Sequence, residues 1–159
     1  MLRVLLALML FASCSGAKGG PSMNNSMTSA EPTPQSSDVI STDILAREPL
    51  ANSAMVKHIL ISWNDGGEQR DQRAQKRTKK DAEEQVRALM TQLKAGADFD
   101  ALMKQWSEDP GSAGSGRAYA VAPDAQLVIE FKQLGLRLKV GEVGVVQSDY
   151  GFHIMKRTE

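Results

Sequence analysis

The chain has two histidines, and both lie inside apolar, strand-like runs near opposite ends of one prospective domain. His58 is in Met55–Trp63, MVKHILISW, and His153 is in Gly151-Phe-His-Ile-Met155. An imidazole can hold, pass or accept a proton near neutral pH, or ligate a metal. A metal site would need further ligands at metal-site spacing, which the sequence does not supply, so no metal is expected. Two satisfied core histidines are the bland alternative. The other concentration of chemistry is cationic. Arg70, Arg73, Lys76 and Arg77, followed by Lys79 and Lys80, make the one dense basic run. That run fits a solvated loop or frayed helix start. It also fits an anion subsite at the mouth of a cleft, reading an acidic or phosphorylated side chain through charge-assisted hydrogen bonds.

The elements that must position these groups can be read from periodicity. In Met55–Trp63 the alternation puts Val56, His58 and Leu60 on one face and Lys57, Ile59, Ile61 and Trp63 on the other, as in a half-buried strand. Asp65-Gly66-Gly67 breaks it. Thr78-Lys-Lys-Asp81 reads as a capping box opening a helix to about Ala95, stopped by Gly96. Ala82, Val86, Leu89, Met90 and Leu93 form its apolar stripe. Asp98 caps a second helix with Phe99, Leu102, Met103 and Trp106 inward, Met103 being able to reach a cleft. Residues 107–116 are a loop of turn formers. Pro123-Asp124 announces a third helix to about Leu134, carrying Leu127 and Phe131. Strands at Gly144–Gln147 and Phe152–Lys156 flank a hairpin turn at Ser148-Asp-Tyr-Gly151.

Composition bounds the rest. Lysine plus arginine and aspartate plus glutamate both number 19, so no bulk charge favours nucleic acid or a membrane surface. Met1–Ser13 carries one early cation and an apolar run too short to span a bilayer, as in a secretory signal. Phe11-Ala-Ser-Cys14 resembles the lipobox of bacterial lipoproteins, which implies lipidation of Cys14, the only cysteine. The expected organisation is a signal segment over 1–14, a flexible tether over 15–53 and one domain over 54–159. The tether is polar and proline-bearing, and Ile44-Leu45 in it could pack as a short helical turn.

The order strand, helix, helix, loop, helix, hairpin resembles the parvulin family of peptidyl-prolyl isomerases. The pieces that carry it are Lys57-His-Ile-Leu-Ile61, Leu93-Lys-Ala-Gly96, Asp98-Phe-Asp-Ala-Leu102, Trp106-Ser-Glu-Asp-Pro-Gly-Ser-Ala113, Lys139-Val-Gly-Glu-Val143 and Tyr150-Gly-Phe-His-Ile154. They run in the family's order from about Met55 to Lys156. The resemblance implies an α+β fold, a small antiparallel four-stranded sheet surrounded by about three helices. It also implies isomerisation of X-Pro bonds in proline-containing polypeptides, with no cofactor. The signal segment and the Cys14 lipobox imply that these are unfolded or exported chains met outside the cytoplasm by a membrane-anchored lipoprotein. By position, His58, Asp109, Ser148 and His153 match the active-site network. Leu127 and Phe131 match the walls that hold the proline ring, with Met103, Tyr119 and Tyr150 beside them. The basic loop looks like that of the phosphate-recognising members.

One segment departs from the family. Gly116-Arg-Ala-Tyr-Ala120 replaces the usual Gly-Gly-Asp-Leu-Gly, so Tyr119 stands where a pocket leucine would be. A groove that binds peptides without turnover, a chaperone module, is the competing expectation.

Overall fold

The computed structural model describes residues 37–65 and 71–159. Cys14, the signal segment, the first part of the tether and Arg70 lie outside the described residues. The framework is a four-stranded sheet in the order β2-β1-β4-β3, with every pairing antiparallel. β1 is Ala54–Ile61, β2 Tyr119–Val121, β3 Val143–Ser148 and β4 Gly151–Arg157. The two strands that carry the histidines are the central pair. Their register sets His58 opposite Met155 and Leu60 opposite His153.

Because side chains alternate across a strand, that register gives the sheet two different faces. One carries Ile59, Ile61, Val145, Phe152 and Ile154, all buried. It is covered by α3 (Lys79–Lys94) through Ala82, Val86 and Leu89, and by α4 (Phe99–Trp106) through Phe99, Leu102 and Met103. The sequence signals for these two helices hold at their starts. Thr78 and Asp81 make the reciprocal capping box, and Asp98 accepts the Ala101 N–H. The other face carries Val56, Val146 and Met155 together with both histidines. It is covered by α5 (Ile129–Gly135) through Phe131 and Leu134, with Leu138 and Ile44 completing the layer.

Three expectations change. The third helix begins at Ile129 rather than at Pro123. Residues 122–128 instead form tight turns, with Ala125 N–H bonded to Ala122 O and Leu127 N–H to Ala125 O. Leu127 therefore sits in a turn ahead of the helix, not one helical turn before Phe131 within it. Second, the part of the tether from Ser37 to Ser53 is laid against the domain. α1 (Thr42–Leu45) buries Ile44. Ser41 bonds Val145 twice, donating its N–H to the carbonyl and accepting the amide on its hydroxyl, which satisfies the open edge of β3. Third, the basic run contains a further short helix, α2 (Gln72–Gln75), capped by Asp71.

Candidate active site

The site grows from the open edge of β1. β2 pairs only with residues 54–56, so β1 beyond His58 has free backbone groups on that side. The loop after α4 takes them. Leu60 N–H donates to Ser107 Oγ (3.1 Å), Glu108 N–H to Leu60 O (2.9 Å) and Ser62 N–H to Glu108 Oε2 (2.7 Å). This docking carries the next residue, Asp109, over His58, whose Nε2 lies 3.1 Å from Asp109 Oδ2. Behind His58, its Nδ1 faces His153 Nδ1 at 3.1 Å, and His153 Nε2 lies 2.7 Å from Ser148 Oγ. Ser148 Oγ also accepts the Tyr150 N–H. Gly151 closes this hairpin at φ +135°, where a Cβ would stand 2.6 Å from Ile61 O, so only glycine lets β4 lie against β1 there.

One hydrogen must lie between the two facing Nδ1 atoms. Carried by His153, it leaves His153 Nε2 to accept the Ser148 O–H. Burial drives the His153 pKa down to about 3, so the ring is neutral at physiological pH. Asp109 is the opposite case. The His58 hydrogen bond, reinforced by those from Ser112 and Tyr119, outweighs its partial burial and holds the carboxyl well below the usual range. The result is a line of hydrogen-bonded groups that ends in a fixed anion.

Phe131 forms the apolar counterpart. Its ring stands edge-on to His58 at 5.0 Å, to His153 at 5.5 Å and to Tyr119 at 6.0 Å between centroids. Together with Leu127, Val128 and Tyr119 it faces a cavity of about 610 Å³. His58, Asp109, His153 and Tyr150 line the same cavity, and Ser148 supports it from behind. Tyr150 is half exposed at the rim.

Two expected members do not join this constellation. Met103 is 1% exposed and belongs to the core on the opposite face of the sheet, with Ile59 and Phe152, rather than to the cavity. The anion subsite also fails for the residues described. Arg77 Nη1 donates to Ser62 O and lies 2.7 Å from Glu108 Oε1, whose side chain is 1% exposed. Arg73 is paired with Asp71 at 2.8 Å and bonds the Ser107 carbonyl. Lys76 is exposed and does not line the cavity. The two arginines thus pin the docked loop in place. The lining instead holds Asp65, Asp71, Glu108, Asp109 and Asp149, and no lysine or arginine among the described residues.

Sequence reasoning missed Glu108, because nothing local says that a loop glutamate pairs with a cation 31 residues earlier (108 minus 77). It also missed Ser112, fully buried, whose hydroxyl bonds Asp109. Among the described residues no group of three histidine, cysteine, aspartate or glutamate side chains is placed to hold a metal ion.

A sequence model of the PPIC-type PPIase domain matches residues 42–159. The chain belongs to the PPIC-type peptidyl-prolyl isomerase family. The match starts at α1, in agreement with the packing of Ile44. Among curated relatives of this parvulin domain, the foldase protein PrsA of Geobacillus kaustophilus is 40% identical over 78 residues, 48% of this chain and 28% of that protein. The chaperone SurA of Alkalilimnicola ehrlichii is 35% identical over 83 residues, 52% of this chain and 19% of that protein. The crystal structure of the peptidylprolyl isomerase PrsA from Bacillus cereus superposes with a TM-score of 0.52 at 30% identity, covering 76% of this chain and 39% of that one. The chain thus spans less than a third of the length of these curated relatives. The parvulin domain is the part they share.

Proposed function

We propose that this chain is a peptidyl-prolyl cis-trans isomerase that assists the folding of exported polypeptides. The observation that carries the reading is the pairing of an apolar seat, Leu127 and Phe131, with a fixed anion, Asp109, across one cavity. Uncatalysed X-Pro isomerisation crosses a barrier of about 20 kcal/mol without breaking a bond. Conjugation is what holds the amide planar, leaving negative charge on oxygen and positive charge on nitrogen. A carboxylate near the carbonyl oxygen disfavours that distribution and so favours the twisted amide, while Leu127 and Phe131 hold the ring. Nucleophilic attack by Asp109 is not required, since the isomerisation breaks no bond. His58, His153 and Ser148 hold the floor.

The Cys14 segment supports an extracytoplasmic, lipid-anchored protein, and the relatives' names, foldase and chaperone, support one that meets chains while they are still unfolded. The carboxylate lining supports turnover of peptides with neutral residues before proline above those with glutamate or phosphoserine. The test is cis/trans exchange of peptides carrying Ala, Leu, Glu or phosphoserine before proline, with the full chain. Exchange faster than in buffer, reduced about tenfold or more by Leu127→Ala, is the expected result. Peptide binding without acceleration on any of them would overturn it in favour of a chaperone module.

A further inference from the structure

Tyr119 is an aromatic wall of the cavity that also carries a hydroxyl to the anion. It opens β2 opposite Val56, and alternation along β1 therefore sets it on the same face as His58. Its ring stands edge-on to His58 at 5.3 Å. Its hydroxyl donates to Asp109 Oδ2 at 2.8 Å, on the oxygen that also receives His58 Nε2 and the Ser112 hydroxyl. Asp109 Oδ1 takes only the Gly111 N–H among the bonds within the loop. The hydroxyl occupies a slot left open by the loop itself. A Cβ on Gly111 would stand 2.6 Å from Tyr119 Oη and 3.5 Å from either carboxylate oxygen. The tyrosine and the glycine are therefore one device. Arg117 lies over the ring, 5.4 Å from its centroid.

We propose that Tyr119 is a positioning residue for the isomerase reaction, its O–H locking the Asp109 carboxylate through a slot that only glycine at 111 leaves free. The lock turns Oδ2 inward, where three donors hold it, and so determines which part of the anion faces a bound amide. Burial and the neighbouring carboxylate raise the phenol's pKa, so it stays a donor throughout the physiological range. This rests on the isomerase reading above.

The experiment combines kinetics and carboxyl titration on the full chain, in Tyr119→Phe, Gly111→Ala and the double variant. Loss of a hydrogen bond to a charged acceptor predicts about a tenfold fall in kcat in Tyr119→Phe, with KM changed less than about twofold. The Asp109 side-chain carboxyl signal in a carbon NMR titration should move to a higher midpoint. Gly111→Ala should be at least as impaired, because its methyl displaces the hydroxyl. The double variant should be no worse than Tyr119→Phe alone, since phenylalanine has no oxygen to collide. Wild-type kcat and an unmoved Asp109 midpoint in Tyr119→Phe would overturn the proposal, as would additive losses in the double variant. Should no peptide be accelerated by the wild-type chain, the isomerase reading fails, yet the Asp109 midpoints still decide whether Tyr119 locks the carboxylate.

Discussion

The two faces of this sheet are built from the same four strands and differ at a handful of positions. Behind Ile59, Ile61, Phe152 and Ile154 the packing is apolar throughout and closed by two well-capped helices. On the reverse, the same β1 and β4 present His58 and His153, and the short α5 leaves a cavity instead of a full cover. One face holds the fold together. The other is allowed buried polar groups because each is satisfied, His58 by Asp109 and His153 by Ser148. A central strand pair can thus be rigid and functional at once, since period-two alternation keeps the two tasks on opposite sides.

The strongest way to break that division is through the apolar face. Phe152→Ala should cost about 3–5 kcal/mol and lower the melting temperature sharply, while exchange rate per folded molecule stays within about twofold. Calorimetry and peptide exchange on the same sample would check both halves. Next comes the clamp under the docked loop. Arg77→Gln removes the close cation from the buried Glu108 carboxylate, leaving only Arg73 at 3.8 Å, and should cost about 3 kcal/mol in chemical denaturation. The ranking of peptides by charge should not move, because Arg77 holds the loop rather than reading substrate.

Acid should act through the histidine face. The folded-state pKa of His153 is depressed to about 3 from an ordinary 6.5, so between those values the unfolded chain binds more protons. Stability is therefore fully present above about pH 6.5 and is lost as pH falls toward 3, by on the order of 1 kcal/mol per pH unit inside the window. Asp109, also depressed, adds a loss of the same sign at the lower end. Melting curves from pH 7 to 4 should show the slope, and His153→Gln should flatten it. The smallest effect on stability and the most selective on function belongs to Phe131→Leu. A near volume-conserving change costs less than about 1.5 kcal/mol, yet it should reduce exchange about tenfold by removing the edge-on ring.

Much of this arrangement was legible in the residues, and the gaps have physical causes. Alternation placed His58 on the right face of β1, and the Thr78 and Asp98 caps located both long helices, because those signals are local. β2 is only three residues long and takes its identity from pairing with β1, so Tyr-Ala-Val had no period to declare it. α5 starts only at Ile129 because the turns after Pro123 take residues 122–128, with Leu127 on the cavity. The basic run misled because charge counts do not reveal partners, and Arg77 finds Glu108 only once the loop docks. Tyr119 stands in the sequence where a pocket leucine would be, which says nothing of its hydroxyl. A half-buried phenol needs a hydrogen-bond partner, and asking which nearby carboxylate could supply it would have led to Asp109.

The central claim is that the histidine-bearing face carries the activity and the reverse face does not. The most direct measurement is the cis/trans exchange rate of a proline peptide, by NMR, in Phe131→Leu and Ile154→Val, each normalised to its folded fraction from a parallel melt. Phe131→Leu should lose about tenfold and Ile154→Val should keep the wild-type rate. Equal losses in the two variants would contradict that claim.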